Sequence, residues 1–172
     1  MFRVKISVSA WARWVKDLGP KTQQAIQDGL LAGAARCIPI LHRATMMAPP
    51  ASDRGSRGAF SSGFYQRAWK FGRVEGGSRV WNDATYAGVI EHGRRSASEG
   101  GSFPPPSVLA KWAQRKLGLS AKEAASVGFA IARAIYIRGL RPRRVLTDAI
   151  PAMTNAVTVE VENAIDRAWE AK

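Results

Sequence analysis

The chain reads as an α+β domain, a small antiparallel sheet with a hairpin packed against a long amino-terminal helix and carboxyl-terminal helices. Three observations predict this class. Apolar residues recur at three- and four-residue spacing between residues 20 and 47 and again after residue 147, as on helices that bury one face. Near the amino terminus Phe2, Val4, Ile6 and Val8 alternate with Arg3, Lys5 and Ser7, the two-residue period of a half-buried strand. Glu75-Gly76-Gly77-Ser78 separates two short runs rich in aromatic and β-branched residues, as a hairpin turn does. With 172 residues there is room for one domain and one core, so residues 1–172 are expected to form a single unit. No internal repeat points to a solenoid or propeller.

After the first strand, Ser9–Leu18 carries Trp11, Trp14, Val15 and Leu18 at helical spacing and stops at Gly19-Pro20. The next helix runs from Pro20 to about Met47, with Ile26, Leu30, Ala34, Cys37, Ile38 and Leu41 on one stripe. Pro39 lacks a backbone donor and crowds the turn before it, which predicts a kink or an early break near Arg36. Residues 48–63 hold two prolines, three glycines and four serines, the composition of a flexible loop. Phe64 to Val74 then reads as a strand and Arg79 to Asn82 as its returning partner, with Trp69, Phe71, Val80 and Trp81 as apolar contacts. Val80 to Gly93 joins a strand to an aromatic-anchored turn and breaks at glycine.

A second flexible loop is expected at about residues 93–106, which are rich in Gly, Ser, Arg and Pro. Pro106 opens a helix bearing Leu109, Trp112, Ala113 and Leu117, and Gly118 caps it. Ser120 and Glu123 form a capping box ahead of Ala124, Val127, Ile131 and Ile135, and Gly139 ends that helix. The last helix opens at Thr147 or Asp148, with Pro151 in its first turn, and continues through Met153, Val157, Val161, Ile165 and Trp169. Trp11, Trp14, Trp112 and Trp169, each on an apolar stripe, are expected in the core.

Charge is the unusual property. Lys and Arg outnumber Asp and Glu by 26 to 13, and residues 1–144 hold 24 basic against 8 acidic side chains while residues 145–172 hold 2 against 5. Such a cationic body attracts polyanions, whether nucleic acid, an acidic protein ring or a membrane surface. Cys37, the only cysteine, allows no internal disulfide and no thiolate metal site, which suits a reducing cytoplasm. The amino terminus lacks the continuous apolar core of a signal peptide, and no run of about 18 apolar residues predicts a membrane span.

His42 and His92 have no companion ligand at zinc spacing, and the acidic residues are scattered singly, so neither metal nor cofactor is expected and an enzyme, such as a nuclease or lysin, lacks its carboxylate or histidine cluster. Glu91 is the carboxylate to single out, either neutralising an Arg across a subunit boundary or forming a simple intrachain pair. Arg133, Arg138, Arg141, Arg143 and Arg144 form the densest cationic cluster. A solvated helix terminus explains part of it, and phosphate contacts with DNA or bridges to an acidic neighbour the remainder. Arg54, Arg57, Arg94 and Arg95 lie on the two loops and are candidates for an assembly surface that orders on binding. Trp69 and Trp81 either pack on a helix or stack bases.

Three segments in order, Ser62-Gly63-Phe64-Tyr65-Gln66-Arg67-Ala68-Trp69, Val80-Trp81-Asn82-Asp83-Ala84-Thr85-Tyr86-Ala87-Gly88-Val89-Ile90-Glu91-His92-Gly93 and Gly139-Leu140-Arg141-Pro142-Arg143-Arg144-Val145-Leu146, resemble the tail-component family of long-tailed bacteriophages, the small neck and tail-completion proteins. The resemblance covers roughly residues 20 to 170, and His92 stands where the family more often has an aromatic. It implies an α+β subunit of a homo-oligomeric ring, expected to be a hexamer, at the head–tail junction of a virion assembled in the host cytoplasm. In that role the protein catalyses nothing. It completes or terminates the tail, meets neighbouring neck, connector and tail-tube proteins, and surrounds the DNA path. The resemblance further implies that Tyr86, Glu91 and Gly93 shape the sheet edge and that Arg54, Arg57, Arg94 and Arg95 make intersubunit or head-side contacts. A free-standing basic nucleic-acid-binding module is the competing reading, supported by the charge and the hairpin aromatics but lacking a helix-turn-helix, zinc-finger or RNA-recognition motif.

Overall fold

The structure is a computed structural model that describes residues 3–4, 19–52, 59 and 63–170. The expectations for Ser9–Leu18, with Trp11 and Trp14, and for Arg54 and Arg57 lie outside the described residues, as does most of the first strand. In chain order the elements are β1 (Arg3–Val4), α1 (Pro20–Met47), α2 (Phe64–Arg67), β2 (Trp69–Val74), β3 (Gly77–Asn82), α3 (Ala87–His92), a single 3-10 turn (Ala97–Glu99), α4 (Pro106–Leu117), α5 (Ala121–Arg138) and α6 (Val145–Glu170). The α+β class and its arrangement are as the sequence predicts: an antiparallel sheet in the order β1-β3-β2 with its hairpin, a long first helix, and helices at the carboxyl end.

Helix α1 is continuous through Pro39, so the expected break does not occur. Pro39 faces solvent, and the burial of Ala34, Cys37 and Leu41 on the opposite face holds the turns on either side of the missing hydrogen bond. Among the described residues the most extensive packing between elements is that of α1 against α6. A Cβ placed on Gly29 would sit 2.7 Å from the Val161 Cα, and one on Gly33 2.7 Å from the Val157 Cα. The contacts run in opposite directions along the two helices, which are therefore antiparallel, and the seam depends on two glycines one turn apart that the apolar stripe did not reveal. Arg36 and Glu160 bridge the same seam at 3.0 Å.

Around this pair the core gathers Cys37 and Leu41 from α1, Tyr65 from α2, Trp69 and Val80 from the hairpin, and Val145, Leu146 and Met153 from α6. Trp69 is buried and thus a core residue, not a base-stacking platform. Two tryptophans depart from expectation: Trp112 is half-buried and Trp169, at the end of α6, is 62% exposed. Phe71 is also exposed, although it shares the sheet face of Trp69 and Val80, because it stands on the edge strand.

Phe64–Val74 is not one strand. Its first four residues form α2, which brings Tyr65 and Trp69 together edge-on with ring centroids 5.7 Å apart, an i, i+4 relation that an extended chain would have pulled apart. The hairpin turn is tighter than the four-residue segment expected, with β3 resuming at Gly77. Residues 93–106 are not a slack loop. Arg94 and Leu140 exchange backbone hydrogen bonds of 2.9 and 2.8 Å, the Arg94 guanidinium donates to the Ser102 carbonyl and hydroxyl, and Ser96 and Glu99 form a capping box on the 3-10 turn. Polar groups that composition assigns to solvent are here paired with one another.

Helices α4 and α5 form an antiparallel hairpin arm that packs chiefly on itself through Ala113, Ala124, Gly128 and Ala132. Phe103 lays its ring against Phe129 and Tyr136 at 5.8 and 5.4 Å. The capping box of Ser120 and Glu123 and the stop at Gly118 are as the sequence indicates. Helix α6 begins at Val145, two residues earlier than expected, so Pro151 falls in its second turn.

Candidate functional site

The early start of α6 traces to Glu91. This side chain, 3% exposed, accepts hydrogen bonds from the backbone N–H of Leu146 and of Thr147, each 2.8 Å, and from the Thr147 hydroxyl at 2.6 Å. A carboxylate delivered from 55 residues away thus serves as the cap of the last helix, where free N–H groups and the helix dipole both favour negative charge. Arg144, the residue before the helix, has a left-handed φ of 49°, and its guanidinium, which only donates, cannot accept from the free N–H groups; it reaches Asp148 at 3.4 Å instead. Neither sequence reading of Glu91, a partner for an Arg across a subunit boundary or a surface pair, describes this role.

The surrounding residues are locked to the same point. The Asn82 amide donates to the Tyr65 carbonyl and its oxygen accepts from the Ala84 N–H, both at 2.9 Å, which turns the chain out of β3 and into α3. The rings of Tyr65 and Tyr86 lie 6.2 Å apart. Burial, followed by the nearby Glu91 charge and Tyr86, pushes the Tyr65 phenol up; burial also raises Tyr86, against the opposing charge of Arg115. Arg143 N–H bonds the Ile90 carbonyl at 2.8 Å and Arg141 N–H the Ala51 carbonyl at 2.9 Å. Tyr86, Glu91 and Gly93 therefore bracket and build α3 and do not shape the sheet edge.

Between this platform and the arm lies a cleft of about 830 Å³. Its walls are apolar, with Phe64, Tyr86 and Ile90 on the body side and Val108 and Trp112 on α4. Among the described residues five cations stand along it, Lys111, Arg115 and Lys116 from α4 and Arg141 and Arg143 from the segment before α6, and no carboxylate lines it. Burial lowers the Arg143 pKa. Phe64, Tyr86 and Val108 are 52%, 40% and 59% exposed, so the walls are open to a partner.

The predicted arginine cluster is thus divided. Arg141 and Arg143 line the cleft, Arg144 pairs with Asp148, and Arg133 and Arg138 are exposed on α5 and are not among the lining residues. Arg94 is drawn inward by Ser102, and Arg95 is exposed beside it. The three cations of α4 escaped the sequence reading, although Lys111, Arg115 and Lys116 at i, i+4 and i+5 share one side of a helix whose start and end were both marked. Among the described residues no group of three or more His, Cys, Asp or Glu could hold a metal ion, and no helix is long and apolar enough to cross a membrane. Comparison of the chain with protein-family models, with curated proteins and with solved structures gives no match.

Proposed function

We propose that the chain is a structural subunit of a tailed-phage neck, one of a ring of copies that completes or terminates the tail and joins it to the head. One observation carries the reading. The three segments whose order resembles the tail-component family converge on a single platform, where Tyr65 meets Tyr86, Asn82 holds the Tyr65 carbonyl, Glu91 caps α6 and Arg94 pairs with Leu140. Distant stretches with a shared structural task are what a family pattern preserves. The cleft beside the platform supports the same reading, since an open apolar groove with a cationic rim serves contact with a partner surface.

Electron microscopy of particles produced by a virus that encodes this chain tests the proposal. Ring density for the chain between connector and tail tube is the expected result, together with unjoined heads and tails when the chain is withheld. Its absence from mature particles overturns the reading. The excess of cations, 26 against 13 acidic residues, also suits the nucleic-acid-binding alternative. Under that alternative a stable monomer binds short oligonucleotides tightly, and log K falls with log salt by about 0.9 for each phosphate neutralised.

A further inference from the structure

We infer that the cleft receives the carboxyl-terminal end of α6 from a second copy of this chain, so that Trp169 and its flanking carboxylates form a plug for the cationic socket. The inference rests on the ring reading above and names the contact that would build such a ring.

The plug is visible on the outer face of α6. Val159, Glu162, Asp166, Trp169 and Glu170 recur at three-, four- and seven-residue intervals, which places them on one side of the helix, opposite Val157, Val161 and Ala164 that face α1. All five are exposed, Val159 by 43% and Trp169 by 62%. An exposed tryptophan beside three carboxylates on a helix end is the chemical complement of an apolar cleft whose charged lining, among the described residues, is cationic. An amphipathic helix laid in an apolar groove is also a recurrent mode of recognition.

One molecule cannot satisfy both halves. The cleft adjoins the start of α6 through Arg143 and the Glu91 cap, and Trp169 lies 24 residues beyond Val145, roughly 36 Å along a straight helix at 1.5 Å per residue. Plug and socket are at opposite ends of the same rod, so each copy offers one and takes one. Such a head-to-tail contact closes into a ring where its rotation permits and otherwise propagates as a filament.

Sedimentation velocity of the full chain at low salt tests this. The socket variant is Lys111→Gln/Arg115→Gln/Lys116→Gln and the plug variant Asp166→Ala/Trp169→Ala/Glu170→Ala; all six side chains are exposed, and circular dichroism verifies that both variants fold. The parent is expected to gain mass with concentration and to lose that gain as salt rises. Each variant alone is expected to remain monomeric, and an equimolar mixture to stop at a dimer, because only one intact plug and one intact socket remain. Self-association that persists in both variants overturns the inference and leaves the ring reading standing on another contact. A parent that stays monomeric at all concentrations overturns it too, as does a parent whose cleft cations serve oligonucleotide binding, whereas the ring reading stands or falls on the particles.

Discussion

Replacing Glu91 by Gln retains shape and removes the charge from a site that exists to receive it. One oxygen of the amide can still accept from the Thr147 N–H and hydroxyl, but its NH2 group then faces the Leu146 N–H, a donor against a donor where the carboxylate oxygen now sits at 2.8 Å. Leaving one buried donor unpaired costs about 1–3 kcal/mol. Losing a partly buried negative charge at a helix start adds up to about 2 kcal/mol. We expect a net loss of about 3 kcal/mol, which for a domain of this size lowers Tm by roughly 6–12 °C at about 2–4 °C per kcal/mol. Thermal unfolding followed by circular dichroism reads the shift, and hydrogen exchange at Leu146 and Thr147 localises it. Thr147→Val removes only the hydroxyl bond, so a double-mutant cycle with Glu91→Gln is expected to return a coupling of about 1 kcal/mol. A Gln variant that melts within 2 °C of the parent, with both amides equally protected, would refute the role assigned to Glu91.

The remaining predictions concern packing, ionisation and mobility. Gly33→Ala pushes a methyl against the Val157 backbone and is expected to destabilise by about 1–2 kcal/mol even after the gain in helix propensity, whereas Gly88→Ala in α3, with nothing within 4 Å of the new Cβ, is expected to stabilise by about 0.5–1 kcal/mol; chemical denaturation separates them. Burial raises the Cys37 thiol from 9.0 to about 11, so only about one thiol in a thousand is ionised at pH 8 and a disulfide reagent should react with the unfolded chain far faster than with the native one. Because the folded value lies above the unfolded one, the contribution of the neutral thiol is complete below pH 9.0 and disappears as pH rises through 11, which melting curves across that window would detect. The arm of α4 and α5 packs chiefly on itself and should open at lower free energy than the α1–α6 pair, giving earlier hydrogen exchange at Ala113 and Ala132 than at Leu41 and Met153.

What was legible in the sequence was local. The bounds of α1, the capping box at Ser120 and Glu123, the stops at Gly118 and Gly139 and the hairpin each depend on residues within one or two turns of one another. What escaped depends on partners far along the chain. Nothing near Gly29 and Gly33 reveals that Val157 and Val161 lie against them, and nothing near Val145 reveals that Glu91 will begin the helix there. The cleft was half legible for the same reason: Arg141 and Arg143 stood out as a run, while the α4 cations face them only across the folded cleft. Trp169 misled because a four-residue spacing drifts round a helix of about 3.6 residues per turn, so the stripe that starts at Val157 on the buried face reaches Trp169 on the exposed one.

The bridge between Arg94 and Leu140 has a consequence for how the chain tolerates change. Gly93 and Gly139, with φ 72° and 69°, flank it, and a Cβ on Gly139 would meet the Arg94 carbonyl at 2.6 Å. The polypeptide therefore leaves the body and returns to it at neighbouring points, through a doorway that only glycines keep open. Everything between those points behaves as a cassette: lengthened, shortened or exchanged for a tight turn, it would leave the two-helix keel and its sheet undisturbed while redrawing the outline that a neighbour must match.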